Sequence, residues 1–195
     1  MSIYLIRHTT PAAAKDICYG NTDVDVSTDF DREFLGLLNV VSKYKIKKIY
    51  TSPLQRSSKL AVKLAATLNI ELKKDDRLKE LNYGLWEMEK WGSIHPTELN
   101  IWMVNFVNLK TPKGESYLQM HKRVSDFLNT NDLRNSLIVS HAGVMRSILS
   151  SLMNTPLGEA YKKYNFNYNE VIEVDLMKRT YQLLENTLKY KNRSL

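Results

Sequence analysis

The chain contains a single cysteine, Cys18, among its 195 residues. One thiol excludes an intramolecular disulfide framework and fits a reducing compartment. Glycine and proline are scarce as well. No internal repeat, low-complexity tract or Gly/Ser linker interrupts the chain, so nothing marks a domain boundary. Long apolar runs are also missing. Before Arg7 only Ile3 to Ile6 are apolar, too short for a signal peptide, and no stretch reaches the length of a membrane span. The expectation is a cytoplasmic protein with no membrane partner.

What remains is ordinary for a globular protein: 43% hydrophobic and 25% charged residues, enough to bury one core. The expectation is a single domain over residues 1–195. The formal net charge of +7 raises the question of nucleic acid. Lys43, Lys45, Lys47 and Lys48 precede a predicted strand, and Lys189, Lys191 and Arg193 form a basic tail. No nucleic-acid motif stands beside either group, so both read as solvated surface and no nucleic-acid partner is expected. A basic balance does favour small anionic substrates.

Ile3-Tyr4-Leu5-Ile6 predicts a buried strand ending at Arg7-His8, and Ile46 to Thr51 predicts a second. Ser52-Pro53 then reads as a helix N-cap with proline at the first helical position. Leu54, Ala61, Leu64 and Leu68 follow at helical spacing, and Ile70 to Leu72 completes a β-α-β unit. Helices are expected over residues 29–44, with Phe30, Phe34, Leu37, Leu38 and Val41 on one face, and over Glu115 to Leu128. Ser136 to Ser140 predicts a buried strand ending at His141, followed by Gly143 and a helix carrying Val144, Ile148 and Leu152. Val171 to Leu176 and Tyr181 to Leu184 predict a closing pair of strands. Such alternation argues for an α/β three-layer sandwich, a mainly parallel sheet with helices on both faces. Ligands bind such sheets at the carboxyl ends of strands, where Arg7, His8, Ser52 and His141 are all expected.

His8 and His141 in one layer are therefore candidate catalytic groups, while His95 and His121 read as surface residues. Arg56, one turn into its helix, could join Arg7 in a two-arginine clamp, since a guanidinium fork matches phosphate oxygens. The helix start at Ala142 and Gly143 would add backbone N–H groups for an anion. Glu80 is a candidate proton donor. After it come all three tryptophans, Trp86, Trp91 and Trp102, with Tyr83 and Phe106. Residues 83–114 read as an aromatic-rich cap or lid insertion, although such aromatics more often fill a core.

These elements together resemble the histidine phosphatase superfamily, the family of phosphoglycerate mutases and acid phosphatases. Leu5-Ile6-Arg7-His8 resembles its opening signature and Ser52-Pro53-Leu54-Gln55-Arg56-Ser57 its second element. Glu80 with Tyr83-Gly84-Leu85-Trp86-Glu87 resembles the third, Gly114-Glu115-Ser116 the fourth, and Ser140-His141-Ala142-Gly143-Val144-Met145-Arg146 the fifth. The resemblance spans roughly residues 3 to 150 and implies the phosphoglycerate-mutase-like fold. It implies that His8 is the nucleophile that becomes phosphohistidine, that Arg7, Arg56 and His141 hold the phosphoryl group, and that Glu80 protonates the leaving oxygen. None of these roles needs a metal or cofactor.

One departure stands out. The family usually has glycine then glutamate after the first histidine, and this chain has Thr9-Thr10. Thr9 crowds the loop, although its hydroxyl or N–H could still contact phosphate. Tyr19-Gly20-Asn21-Thr22-Asp23 resembles a pocket-lining loop, making Asn21 and Thr22 binding candidates and Gly20 a structural turn. The expected function is hydrolysis of a small phosphomonoester. The α-ribazole phosphatase-like branch is the nearest match and α-ribazole phosphate a candidate substrate. Mutase-type transfer and a catalytically idle, ligand-binding member are the alternatives, and oligomeric state stays open.

Overall fold

The structure is a computed structural model that describes residues 1–184; the basic tail at Lys189, Lys191 and Arg193 lies outside the described residues. Its six strands are β1 (Ser2–Arg7), β2 (Lys48–Thr51), β3 (Glu71–Lys74), β4 (Ser136–Ser140), β5 (Val171–Asp175) and β6 (Thr180–Leu184). Its α-helices are α1 (Phe30–Val41), α2 (Gln55–Leu68), α3 (Pro96–Val104), α4 (Tyr117–Thr130), α5 (Ala142–Met153) and α6 (Leu157–Lys163). The strands form one sheet in the order β3-β2-β4-β1-β5-β6. The first four are mutually parallel, and β5 and β6 close the edge as an antiparallel pair.

Side chains alternate across the pleat, and the alternation builds two cores. Tyr4 and Ile6 of β1, with Leu137 and Val139 of β4, pack under α1 and α2 against Phe34, Leu37, Leu60 and Leu64. Ile3, Leu5 and Ile138 face the other way, toward α4 and α5 and the residues Met120, Val124, Phe127, Val144 and Ile148. Leu37, Leu60 and Leu64 are fully buried, and each such side chain contributes about 1.5–3 kcal/mol of apolar transfer free energy. The α/β sandwich follows from this two-sided burial.

Some local expectations shift. α2 starts at Gln55, not at Pro53, because Leu54 is still extended, with φ −60° and ψ 135°. Ser52 therefore does not cap the helix; its Oγ accepts the Leu54 N–H at 3.3 Å in a tight turn. The first turn is served instead by Asp23, whose Oδ1 accepts the Gln55 N–H at 2.6 Å. A carboxylate at that position suits the positive end of the helix. α4 begins two residues later than expected, behind a capping box of Ser116 and Gln119.

α3 and α6 were not expected. α3 lacks a one-sided apolar stripe, since Ile101, Met103 and Val104 are exposed while Trp102 is buried. Among residues 83–114, Trp86 and Trp102 are buried in the same apolar cluster as Ile3 and Leu5, and Trp91 is half-buried against it. No helix among the described residues is long and apolar enough to cross a membrane.

Candidate active site

Strand register places the two histidines side by side. β1 and β4 run parallel with Arg7 opposite Ser140, so the next residues, His8 and His141, leave the sheet together. The His8 N–H continues the ladder to the Ser140 carbonyl at 2.9 Å. Their rings lie 5.1 Å apart between centroids. β2 supplies the third member: its Ser52 N–H reaches the Val139 carbonyl at 3.1 Å, and Ser52 Oγ shares a 2.8 Å hydrogen bond with His141 Nε2.

His8 Nδ1 lies 2.7 Å from the Thr9 carbonyl oxygen. A carbonyl can only accept, so Nδ1 carries the proton, and in the neutral ring Nε2 holds the lone pair. Burial first, then the charges of Arg56 and Arg7, hold the His8 pKa well below the usual imidazole range, against the opposing pull of the Thr9 carbonyl. His141 is lowered in the same way, by burial and then by Arg56 and His8. Both rings are neutral at pH 7.

The Thr9-Thr10 step is accommodated by the backbone. Thr9 is fully buried and gives its carbonyl to His8, while Thr10 is held by Glu33 of α1. The Thr10 N–H and hydroxyl donate to the two Glu33 carboxylate oxygens at 2.8 and 2.6 Å. α1 thus fixes a loop in which this chain lacks a glutamate of its own.

Arg56 is fully buried. Its Nη1 donates to the Thr22 carbonyl at 2.7 Å, and its Nη2 donates to the Gly20 carbonyl. Burial lowers its pKa from the usual guanidinium value, offset by Glu80, Tyr19, Asp23 and Glu87. Gly20 takes φ +27°, and a Cβ there would sit 2.4 Å from the Leu81 carbonyl oxygen, so glycine is required at this turn. Of the binding candidates Asn21 and Thr22, Asn21 meets Glu87 through its backbone alone and leaves its side-chain Oδ1 buried without a partner within the protein, whereas Thr22 meets Glu87 through its hydroxyl. The Asn21 N–H donates to Glu87 Oε1 at 2.8 Å, and the Thr22 hydroxyl donates to Oε2. The loop positions Arg56 through its carbonyls.

Arg7 is half-buried and donates through Nη1 to the Phe166 carbonyl at 2.6 Å. Its guanidinium lies 3.8 Å from the centroid of the Tyr168 ring. Tyr168 also packs 5.4 Å from His8 and shares a 2.7 Å hydrogen bond with the Tyr19 hydroxyl. Burial raises the Tyr19 pKa above the ordinary phenol value. Tyr19 in turn lies 5.0 Å from the Arg56 guanidinium. This tyrosine pair spans both arginines. Sequence reasoning missed Tyr168, which stands in irregular chain between α6 and β5 with no motif around it.

Glu80 approaches the start of α5. Its Oε2 accepts the Gly143 N–H at 3.1 Å, and its Oε1 accepts the Leu81 N–H at 3.0 Å. A Cβ on Gly143 would lie 2.3 Å from Glu80 Oε1, so the glycine permits this contact. The Gly143 N–H, expected to face an anion, is satisfied by Glu80. Ala142 is buried beside it. Of the remaining histidines, His95 is exposed as expected. His121 departs from expectation: it is half-buried between α4 and α5, with Nδ1 2.9 Å from Ser147 Oγ and a pKa lowered by burial.

Four buried polar atoms in this layer, Arg7 Nε, Arg56 Nε, His141 Nδ1 and Thr9 Oγ1, have no hydrogen-bond partner within the protein. Buried donors are almost always paired, and two guanidinium N–H groups beside two imidazoles match a tetrahedral oxyanion. Among the described residues no group of three or more His, Cys, Asp or Glu side chains is placed to hold a metal ion.

The model of the histidine phosphatase superfamily, branch 1, matches residues 3–187. Phosphoserine phosphatase 1 of Hydrogenobacter thermophilus is 27% identical over 147 residues, 72% of this chain and 70% of that protein. The crystal structure of the α-ribazole phosphatase from Shigella flexneri superposes with a TM-score of 0.83 at 19% identity, covering 96% of each chain. Mycobacterial glucosyl-3-phosphoglycerate phosphatase superposes with a TM-score of 0.77 at 18% identity, covering 95% of this chain and 98% of that one. These two likenesses are of fold.

Proposed function

Because the chain belongs to branch 1 of the histidine phosphatase superfamily, we propose that it hydrolyses small phosphomonoesters through a phosphohistidine on His8. The observation that carries this reading is the His8 ring. Its Nδ1–H is tied to the Thr9 carbonyl, its Nε2 lone pair is free for attack, and its neutrality is enforced by burial beside two guanidiniums.

In the first step His8 Nε2 attacks phosphorus, the bond from phosphorus to the ester oxygen breaks, and Glu80 gives that oxygen a proton. Arg7, Arg56 and His141 hold the phosphoryl oxygens as charge moves onto them, and Thr9 and the start of α5 at Ala142 and Gly143 border the group. In the second step water attacks phosphorus, the N–P bond breaks, and the Glu80 carboxylate takes up the water proton. The ring keeps its Nδ1 proton throughout. Each step balances on these side chains and water alone.

The relatives' names offer three substrates to try: phosphoserine, α-ribazole phosphate and glucosyl-3-phosphoglycerate. Purified protein should release inorganic phosphate from at least one member of a phosphomonoester panel containing these three, at a rate that EDTA leaves unchanged. Activity abolished by EDTA and restored by zinc would contradict the reading, as would silence toward the whole panel.

A further inference from the structure

Glu80 borders cavities on two sides. On one side lies a groove of about 290 Å³ lined by Asn21, Asp76, Lys79, Asn82, Glu115 and Arg123. Its principal charges already satisfy one another. Arg123 Nη2 donates to Glu115 Oε1 at 2.6 Å and to the Glu80 carbonyl at 3.0 Å, and its Nη1 donates to the Arg77 and Lys79 carbonyls. On the other side a small cavity of about 50 Å³ is lined by Glu80 and Gly143 together with Tyr83, Trp102, Phe106 and Tyr161. Arg146 also lines it, with Nε on the Tyr164 carbonyl and its guanidinium 4.7 Å from the Tyr161 ring centroid. Those four aromatics also line an outer cavity of about 500 Å³, together with Trp91, Leu99, Met103 and one charged residue, Lys162. That volume lies within the span of about 300–1,000 Å³ usual for small-molecule sites.

The walls of the aromatic cavity are rings meeting at steep angles. Tyr83 and Trp102 lie 5.8 Å apart at 66°, and Phe106 and Tyr161 lie 4.7 Å apart at 52°. Such a wall presents both ring faces and ring edges, the surfaces that a further planar ring packs against. Trp102 is 9% exposed, yet its indole Nε1–H is buried with no partner within the protein. An unpaired buried donor is costly in plain packing, and an acceptor on a bound molecule would satisfy it.

The geometry points to this aromatic cavity as the seat of the leaving alcohol, and assigns to that alcohol a planar, largely apolar ring system bearing a hydrogen-bond acceptor. The inference rests on the phosphatase reading, in which Glu80 must touch the leaving oxygen. A group attached to that oxygen then passes from Glu80 through the inner cavity onto the rings of Tyr83, Trp102 and Tyr161. The charges of the opposite groove are paired, and the buried side-chain atom it leaves without a partner is one acceptor, Asn21 Oδ1, against a whole wall of rings on this side.

The test compares kcat/KM of the whole chain for three esters: 2-(2-quinolyl)ethyl phosphate, ethyl phosphate and O-phosphoserine. The quinolyl ester should exceed the other two by about tenfold or more, the reach of one good apolar contact. Tyr161→Ala, at a residue 41% exposed and so tolerant of truncation, should erode that ratio by raising KM for the quinolyl ester. Trp102→Phe, which keeps a ring and removes the donor, should weaken the quinolyl ester relative to its naphthyl analogue. Equal efficiency toward all three esters would overturn the assignment and leave the phosphatase reading intact. A preference for phosphoserine would move the leaving group to the charged groove. A dimer that Tyr161→Ala dissociates, with ester preference unchanged, would give the face to a second copy. No turnover of any ester would remove both readings.

Discussion

The layer around His8 and the aromatic wall around Trp102 meet at Glu80 and are built by opposite means. The first hangs from strand ends: the Arg7–Ser140 register sets the two histidines, and the polar atoms that face inward are buried and partly unpaired. The second comes from 3-10 turns and two short helices, α3 and α6, and exposes Ile101, Met103 and Val104 at 59%, 58% and 88%. Strand ends have little freedom to move, because a shift of register would turn buried residues outward. A wall of short, irregular pieces can vary without disturbing that register. In the proposed function, chemistry and selectivity would rest on parts of the fold with different tolerance for change.

Substitutions on the two sides of Glu80 should separate these roles. The largest effect belongs to Glu80 itself. Glu80→Gln should slow phosphorylation of His8 by an alkyl phosphate by about 10²–10⁴-fold, the reach of general acid catalysis. Nitrophenyl phosphate, whose leaving group needs no proton, should suffer much less. Single-turnover rates measure this step free of the later hydrolysis, and equal losses for both esters would give Glu80 a purely structural role.

Next comes Arg56→Lys. An ammonium is a point donor and cannot span the Thr22 and Gly20 carbonyls as the guanidinium fork does while still facing a phosphoryl oxygen, so kcat should fall by about 10²–10³-fold, as when one transition-state donor is lost. Near-normal kcat would show that the guanidinium only fastens the 19–23 loop. Tyr161→Ala on the wall should act through KM for the quinolyl ester, and this contrast with the kcat loss at Arg56 sharpens the comparison.

The histidine layer was largely legible because its signals are local. β4 lies at the expected Ser136 to Ser140, and Arg7, His8, Arg56 and His141 each follow a short apolar run or a Ser-Pro step. The partners that hold them were not legible. Glu33 reaches Thr10 across 23 positions, Tyr168 reaches Tyr19 across 149, and Glu87 reaches Asn21 across 66. Glu33 and Tyr168 carry no motif signal, and the element that contains Glu87 does not say which loop that carboxylate holds, since tertiary packing alone brings each pair together. α3 was missed for a related reason: its apolar residues serve no single face, so no helical period is visible.

A smaller effect should appear in stability. His8, His141 and His121 all have pKa values lowered in the folded chain, against about 6.5 when unfolded. Their contribution is present above about pH 6.5. As pH falls through that value the unfolded chain takes up protons that the folded chain refuses, so stability drops toward lower pH. Each histidine adds a slope of up to about 1.4 kcal/mol per pH unit in that window. Urea titrations between pH 7 and pH 5 should show the loss, and His8→Asn should flatten it; an unchanged slope in that variant would mean that His8 is protonated in the fold.

The central claim is that His8 becomes covalently phosphorylated. Protein mixed rapidly with a phosphorus-labelled substrate and quenched in alkali should retain label on the peptide containing His8, and acid should release it. His8→Ala should lose both label and turnover. Label retained in His8→Ala, or full turnover without it, would contradict the claim.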